Sequence, residues 1–179
     1  GCAVFVPSSI GAFGPTTPHD NTPQETIQRP NTMYGATKVA GELLSDYYHQ
    51  KFGVNVRGVR HPGLISHETL PGACTPAHAE AIIDAALAKK RYTCFLAPTT
   101  CLDMMYMPDA IRAAITLMEA DPTRLGYRNA YNITAMSFTP TEIAAALQCR
   151  IPEFVMEYRV DPVRQAIADS WPNRMDDET

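Results

Sequence analysis

Tyr34-Gly35-Ala36-Thr37-Lys38 sets a phenol and an ammonium four residues apart. On a helix, residues i and i+4 share a face, so the two groups point the same way. A cation beside a phenol favours the phenolate and lowers the usual tyrosine pKa of about 10, giving a base usable near neutral pH. The same spacing also fits an ordinary amphipathic helix with a solvated lysine. A second feature is Pro7-Ser8-Ser9, directly after the apolar run Ala3 to Val6. In an open parallel sheet, ligands sit outside the carboxyl ends of strands, so a hydroxyl there stands where chemistry is expected. Polar turn residues end many strands as well. A third is His61-Pro62-Gly63, after the next strand-like run. Together the three are far less accidental than any one of them.

These residues need elements to hold them. Ala3 to Val6 reads as a strand buried on both faces of a parallel sheet. Residues 11 to 31 hold Pro15, Pro18, Pro23 and Pro30 among many polar residues and read as a long loop. Thr32 to Phe52 reads as a helix stopped by Gly53, and Val54 to Val59 as the next strand. Strand, helix, strand makes one βαβ unit. A loop then runs from Pro62 to Pro76, with a helix from Ala77 to about Lys90 and a strand over Tyr92 to Leu96. Pro108 to Ala120 reads as a helix with Ile111, Ala114, Ile115 and Met118 on one face. Ala130 to Ile133 is a short strand. Thr139-Pro140-Thr141-Glu142 is a capping box, with Phe138 and Ile143 spaced for a hydrophobic staple. Phe154 to Tyr158 is the last strand, and Asp161-Pro162 begins a helix that ends near Asp169. The alternation makes the fold class α/β.

Composition narrows the function. The chain has 179 residues, 45% hydrophobic and 19% charged, with net charge −4. That suffices for a hydrophobic core and excludes a disordered chain or a fibre. Mild acidity with scattered Lys and Arg argues against nucleic acid as a partner. No apolar run approaches the roughly 20 residues that cross a bilayer, so no membrane partner is expected. Five cysteines (Cys2, Cys74, Cys94, Cys101, Cys149) lack any C-x-x-C spacing, which points to reduced thiols in a cytosol-like compartment. The five histidines form no metal-binding motif and read as surface or loop residues, so no metal is expected.

Ser8-Ser9-Ile10-Gly11-Ala12-Phe13-Gly14, Tyr34 to Lys38 and Arg60-His61-Pro62-Gly63 resemble the catalytic half of an extended short-chain dehydrogenase/reductase. Met104 to Asp109, Tyr131 to Pro140 and Asp161 to Pro172 resemble, within that superfamily, the NAD-dependent L-threonine 3-dehydrogenases. The resemblance runs over nearly the whole chain. It implies the C-terminal part of a Rossmann-type parallel sheet with a smaller α/β substrate-binding region. Residues 1–66 would complete the NAD-binding domain, and residues 67–179 would mainly bind substrate, with some segments returning to the first domain. It implies Tyr34 as general base, Lys38 as its partner on the nicotinamide ribose, and Ser9 as the hydroxyl that holds the reacting oxygen. Pro7, Ser8, Pro62 and Leu64 would line the cofactor NAD. Thr75 and Trp171 would join Ser9 and Tyr34 around the substrate, L-threonine, although a lone Trp in a chain is also ordinary packing. It further implies a homodimer, pairing through the Tyr34–Lys38 helix and the helix over Ala77 to Lys90. The compartment would be the cytoplasm, or the mitochondrial matrix in a eukaryote.

The sequence also departs from that pattern. The glycine-rich G-x-x-G-x-x-G turn that holds a dinucleotide pyrophosphate at a helix N-terminus is not in it, since Gly11 and Gly14 follow a different strand. At Ala77, within Pro76-Ala77-His78, an acidic substrate contact of the family would be lost. The opening without Met on an apolar strand, and the end at Asp176-Asp177-Glu178-Thr179, predict a part of a larger domain. Two rivals therefore stand beside the threonine reading. One is a nucleotide-sugar epimerase or dehydratase of the same superfamily. The other is a non-catalytic fragment that only dimerises.

Overall fold

The computed structural model describes residues 2–66 and 78–178. Strand β1 (Ala3–Ser9) runs into a single 3-10 turn, Ile10–Ala12. A long loop then leads to helix α1 (Met33–Phe52) and strand β2 (Asn55–His61). Thr32 is the cap of α1 rather than part of it, its side chain accepting from the Gly35 N–H at 3.0 Å. The helix ends because Gly53 takes a left-handed φ of 66°, which lets its N–H close on the His49 carbonyl at 2.8 Å. β1 and β2 pair in parallel along their whole length, from Ala3 opposite Asn55 to Ser9 opposite His61. The βαβ unit expected from the sequence is therefore present.

Strand alternation assigns the two faces of this sheet. Arg60 reaches toward α1, where it meets Glu42. Arg57, three residues earlier and so on the other face, reaches helix α3 (Met107–Glu119). Its guanidinium donates to the carbonyls of Leu117, Met118 and Ala120 at 2.6 to 2.8 Å, satisfying groups that a helix C-terminus leaves open.

One expectation needs correction here. β1 is not buried on both faces: Val4 and Pro7 are exposed, and among the described residues β1 pairs only with β2. The apolar stripe expected on α3 is turned away from the sheet. Ile111 and Ile115 are each 52% exposed, while the small side of the helix, centred on Ala110, lies against the sheet. Small residues let the helix come close to the strands, and the larger ones are left outside.

The rest of the chain adds β3 (Gly63–Ile65), α2 (His78–Lys89), β4 (Arg91–Cys94), β5 (Leu102–Tyr106), β6 (Tyr131–Asn132), β7 (Met136–Phe138), α4 (Pro140–Gln148), β8 (Val155–Tyr158) and α5 (Pro162–Ala168). β6 returns to the first sheet, giving the order β1-β2-β6. β3, β5 and β7 form a second sheet, and β4 with β8 a third. The sequence reading left β3 and β7 without regular structure and did not identify β5. The capping box on α4 is formed in both directions: the Thr139 side chain accepts from the Glu142 N–H, and the Glu142 carboxylate accepts from the Thr139 N–H at 2.8 Å. Asp161 caps α5 in the same manner, accepting from Val163 and Arg164. The core gathers Ile10, Phe13, Ile82, Leu96, Met104, Phe154, Trp171 and Met175. His78 is part of that interior, a correction to its expected place at the surface.

Asp103 on β5 is 1% exposed, and its carboxylate accepts from the Met175 N–H at 2.9 Å and from the Thr134 hydroxyl at 2.7 Å. It thereby ties the C-terminal segment to the second sheet. Burial outweighs these donors and raises its pKa to about 6. The folded state thus holds the Asp103 proton more tightly than the unfolded chain does. Its contribution to stability is fullest below about pH 4 and is lost as pH rises through about 6, a change of about 3 kcal/mol at most. We expect Asp103→Asn to remove that decline. Urea unfolding of both proteins across about pH 4 to 7 would show it as a difference between the two curves. Parallel curves would refute the assignment.

Candidate active site

Ser9 closes β1 and caps the 3-10 turn, its Oγ accepting from the Gly11 N–H at 3.1 Å. α1 begins directly over this turn. A side chain at Gly35 would overlap the Gly11 carbonyl oxygen, so a glycine there lets the helix start touch the turn backbone. Gly11 is the reciprocal case. A Cβ on it would lie 3.0 Å from the Tyr34 ring and 3.5 Å from Ser9 Oγ. Gly11 is therefore the surface on which the ring of Tyr34 rests beside the Ser9 hydroxyl.

One helical turn later, Lys38 Nζ donates to the Pro7 carbonyl at 2.9 Å and lies 5.4 Å from the centroid of the Tyr34 ring. Tyr34 is 53% exposed, and its hydroxyl is hydrogen-bonded to no described residue. Ser9, Tyr34 and Lys38 thus form one open patch at the carboxyl end of β1, where a parallel sheet presents its ligand site. A phenol, a hydroxyl and a fixed cation so arranged can accept a proton from a bound alcohol and stabilise charge on its oxygen.

His61 ends β2 opposite Ser9. It is half-buried, and its Nδ1 is enclosed with no hydrogen-bond partner among the described residues. Burial first, and the Lys38 cation second, lower its pKa and keep the imidazole neutral. The sequence marks His61-Pro62-Gly63 as a motif but gives the imidazole itself no role. The parallel register of β1 and β2 is what brings it beside the site.

The other expected residues are distributed differently. Pro7 is exposed and bonded to Lys38 through its carbonyl. Ser8 points to the opposite face from Ser9, as alternation along a strand requires, and its Oγ donates to the buried Glu42 carboxylate. Pro62 is buried just beyond His61, and Leu64 is half-buried in β3 opposite Met105. Trp171 is 8% exposed within the core, where it shares a small dry gap with Ile10, Gly63, Leu102 and Met104. Thr75, Cys74 and Ala77 lie outside the described residues.

The sequence reading missed the polar joint behind the site. Arg60 meets Glu42 through Nη2 at 2.8 Å and Nε at 3.1 Å, with both side chains almost fully buried. Gln28 donates to the same carboxylate at 2.7 Å. Arg60 also donates to the Gln24 carbonyl at 2.9 Å and to Asn132 at 3.0 Å. Glu42 follows Lys38 by four residues and Tyr34 by eight, so helical spacing already puts it on their stripe.

For a dinucleotide, the chain fits the nicotinamide end. The Lys38 ammonium has donors beyond the one given to Pro7, and the Tyr34 hydroxyl, at the mouth of the strands, is bonded to none of the described residues. The glycine-rich turn that would hold the pyrophosphate is not among its residues.

Known proteins share this sequence and fold. The model of the NAD dependent epimerase/dehydratase family matches residues 1–134. An uncharacterized epimerase/dehydratase of Staphylococcus haemolyticus is 59% identical over 172 residues, covering 96% of this chain and 54% of the relative. The L-threonine dehydrogenase of Clostridium difficile superposes with a TM-score of 0.96 at 60% identity, over 98% of this chain and 55% of that one. The holo form of a GalE-like L-threonine dehydrogenase from Cupriavidus necator gives 0.95 at 54% identity, over 98% and 56%. The chain spans about half the length of these relatives. With a site of this kind on a parallel Rossmann-type sheet, and a family match across most of its length, the chain belongs to the NAD dependent epimerase/dehydratase family.

Proposed function

We propose that this chain supplies the proton-transfer and substrate-binding part of an NAD-dependent L-threonine 3-dehydrogenase, an oxidoreductase that converts L-threonine to 2-amino-3-ketobutyrate. The observation that carries the reading is the convergence of Ser9 Oγ and the Tyr34 ring on Gly11, with Lys38 held beside that ring by the Pro7 carbonyl. Similarity to the threonine dehydrogenases of Clostridium difficile and Cupriavidus necator supports the choice of substrate. Residues 1–66 complete the cofactor-binding domain in this reading, and residues 67–179 form mainly the substrate-binding region.

Tyr34, as phenolate, takes the proton of the C3 hydroxyl. Ser9 Oγ donates to that oxygen as it becomes a carbonyl, and Lys38 keeps positive charge beside the phenol. Bound NAD would supply the acceptor for the hydride that leaves C3. Lys38 would hold the nicotinamide ribose, and Pro7, Ser8, Pro62 and Leu64 would line the ring. Thr75 contacts the substrate, and Trp171 backs the site from the core through Ile10 and Gly63. The protein acts as a homodimer paired through α1, whose Leu43, Leu44, Tyr47, Tyr48 and Phe52 are exposed, and through α2.

A nucleotide-sugar epimerase or dehydratase is the second reading, favoured by the family description. NADH absorbance separates the two: net reduction of NAD with L-threonine supports the first, and turnover of a nucleotide sugar without it supports the second. Failure to bind NAD by calorimetry would favour a fragment that only dimerises. In the threonine reading, Tyr34→Phe lowers kcat by about 10²- to 10⁴-fold and leaves the unfolding temperature unchanged. Retained turnover in that variant would overturn the role of Tyr34. Gly11→Ala pushes the Tyr34 ring off its seat and costs kcat about 10- to 100-fold, read by the same assay.

A further inference from the structure

We infer that the buried Glu42–Arg60 pair is the positioning device that sets Tyr34 and Lys38 against Ser9; this rests on the catalytic reading of those three residues. The reason lies in how little else holds α1. Of its twenty residues only Gly35, Glu42 and Ser45 are buried. Its large apolar side chains Met33, Leu43, Leu44, Tyr47, Tyr48 and Phe52 are exposed. A helix docked by an apolar face is located by many interlocking side chains. This one buries no large apolar side chain against the sheet, so beside the Gly35 contact and the Lys38–Pro7 hydrogen bond its placement rests on the Glu42 carboxylate.

Hydrogen bonds are directional, and here they come from several segments. Ser8 of β1 and Arg60 of β2 both donate to Glu42 Oε1, while Gln28 and Arg60 donate to Oε2. Ser8, Arg60 and Asn132 sit side by side in the strand register, so the anchor is a rigid row across three strands. A one-residue slip of α1 along its axis would move Glu42 by about 1.5 Å and turn it by about 100°, breaking every one of these bonds. Lys38 and Tyr34 lie one and two turns away on the same stripe, and Ser9 is adjacent to Ser8. Neither Glu42 nor Arg60 touches the reacting groups. They act through the placement of α1.

A buried ion pair adds little net stability over an apolar pair of similar volume. That separates positioning from mere support. In the double variant Glu42→Met/Arg60→Met, we expect the fold to be kept and the helix to lose its fixed register. Nuclear Overhauser contact between the Tyr34 ring and Gly11 should disappear while amide dispersion stays native. Threonine turnover should fall about 10- to 100-fold in kcat, with KM changed far less. Glu42→Asp keeps the charge but retracts it by one methylene, and should show the same split to a smaller degree; it serves if the double variant does not fold. A variant that keeps both the Tyr34–Gly11 contact and the wild-type kcat overturns the inference. A wild-type chain that shows the contact and binds NAD but makes no NADH from threonine overturns the substrate reading alone, and loss of the contact in the variants then still supports the positioning role.

Discussion

Two opposite charges taken out of water, Glu42 and Arg60, are the constraint around which the first sheet is arranged. Desolvation of each is costly, and the mutual attraction offsets it only when the remaining donors and acceptors are also answered. That requirement explains why residues far apart in sequence meet here. Gln24 and Gln28 come from the long loop before α1, Ser8 from β1 and Asn132 from β6. The guanidinium also faces the ring of Phe13, 5.3 Å from its centroid, so its flat side is covered as well. The proline-rich loop is therefore a working part of the sheet. It supplies the partners that make a buried charge tolerable.

The same economy of apolar contact governs both helices on this sheet. α1 comes close through Gly35, and α3 through Ala110, with the larger apolar residues of each left outside. Close approach of backbone gives short, stiff connections between helix and strand ends. It suits a site whose groups must be held to fractions of an ångström. The corresponding weakness is that little apolar area secures either helix, so polar anchors carry more of the placement: Glu42 for α1, and the carbonyls gripped by Arg57 for α3.

Much of this was legible in the sequence where the signal is local. Tyr34 and Lys38 were found from helical spacing, Ser9 from its place after an apolar run, and the caps Thr139 and Asp161 from residue types with known partners three positions on. The strands β3, β5 and β7 were not found, because none has a pattern of its own. Leu102-Asp103-Met104-Met105-Tyr106 carries a charge and two methionines, and becomes a strand only through pairing with β3 and β7. The spacing on α3 gives the stripe its period but not its side, since periodicity names a face without naming what it meets. Arg60 and Glu42 read as ordinary charges until the fold brings them together.

Asn132 extends the logic of the joint to the far end of the chain. Its Oδ1 accepts from Arg60, and its Nδ2 donates to the Thr22 and Asp176 carbonyls at 3.1 Å. Asp103 holds the neighbouring Met175 N–H from the second sheet. The segment carrying Trp171 is thus fixed from two sheets by two side-chain anchors, one of them shared with the joint under α1. Trp171 in turn packs beside Ile10, the residue after Ser9. Tyr34 and Ser9 are therefore referenced, from opposite sides, to one continuous polar framework. In such an arrangement a disturbance at Arg60 reaches the Tyr34 helix and the Trp171 segment together, whereas a disturbance at Asp103 acts first on the latter.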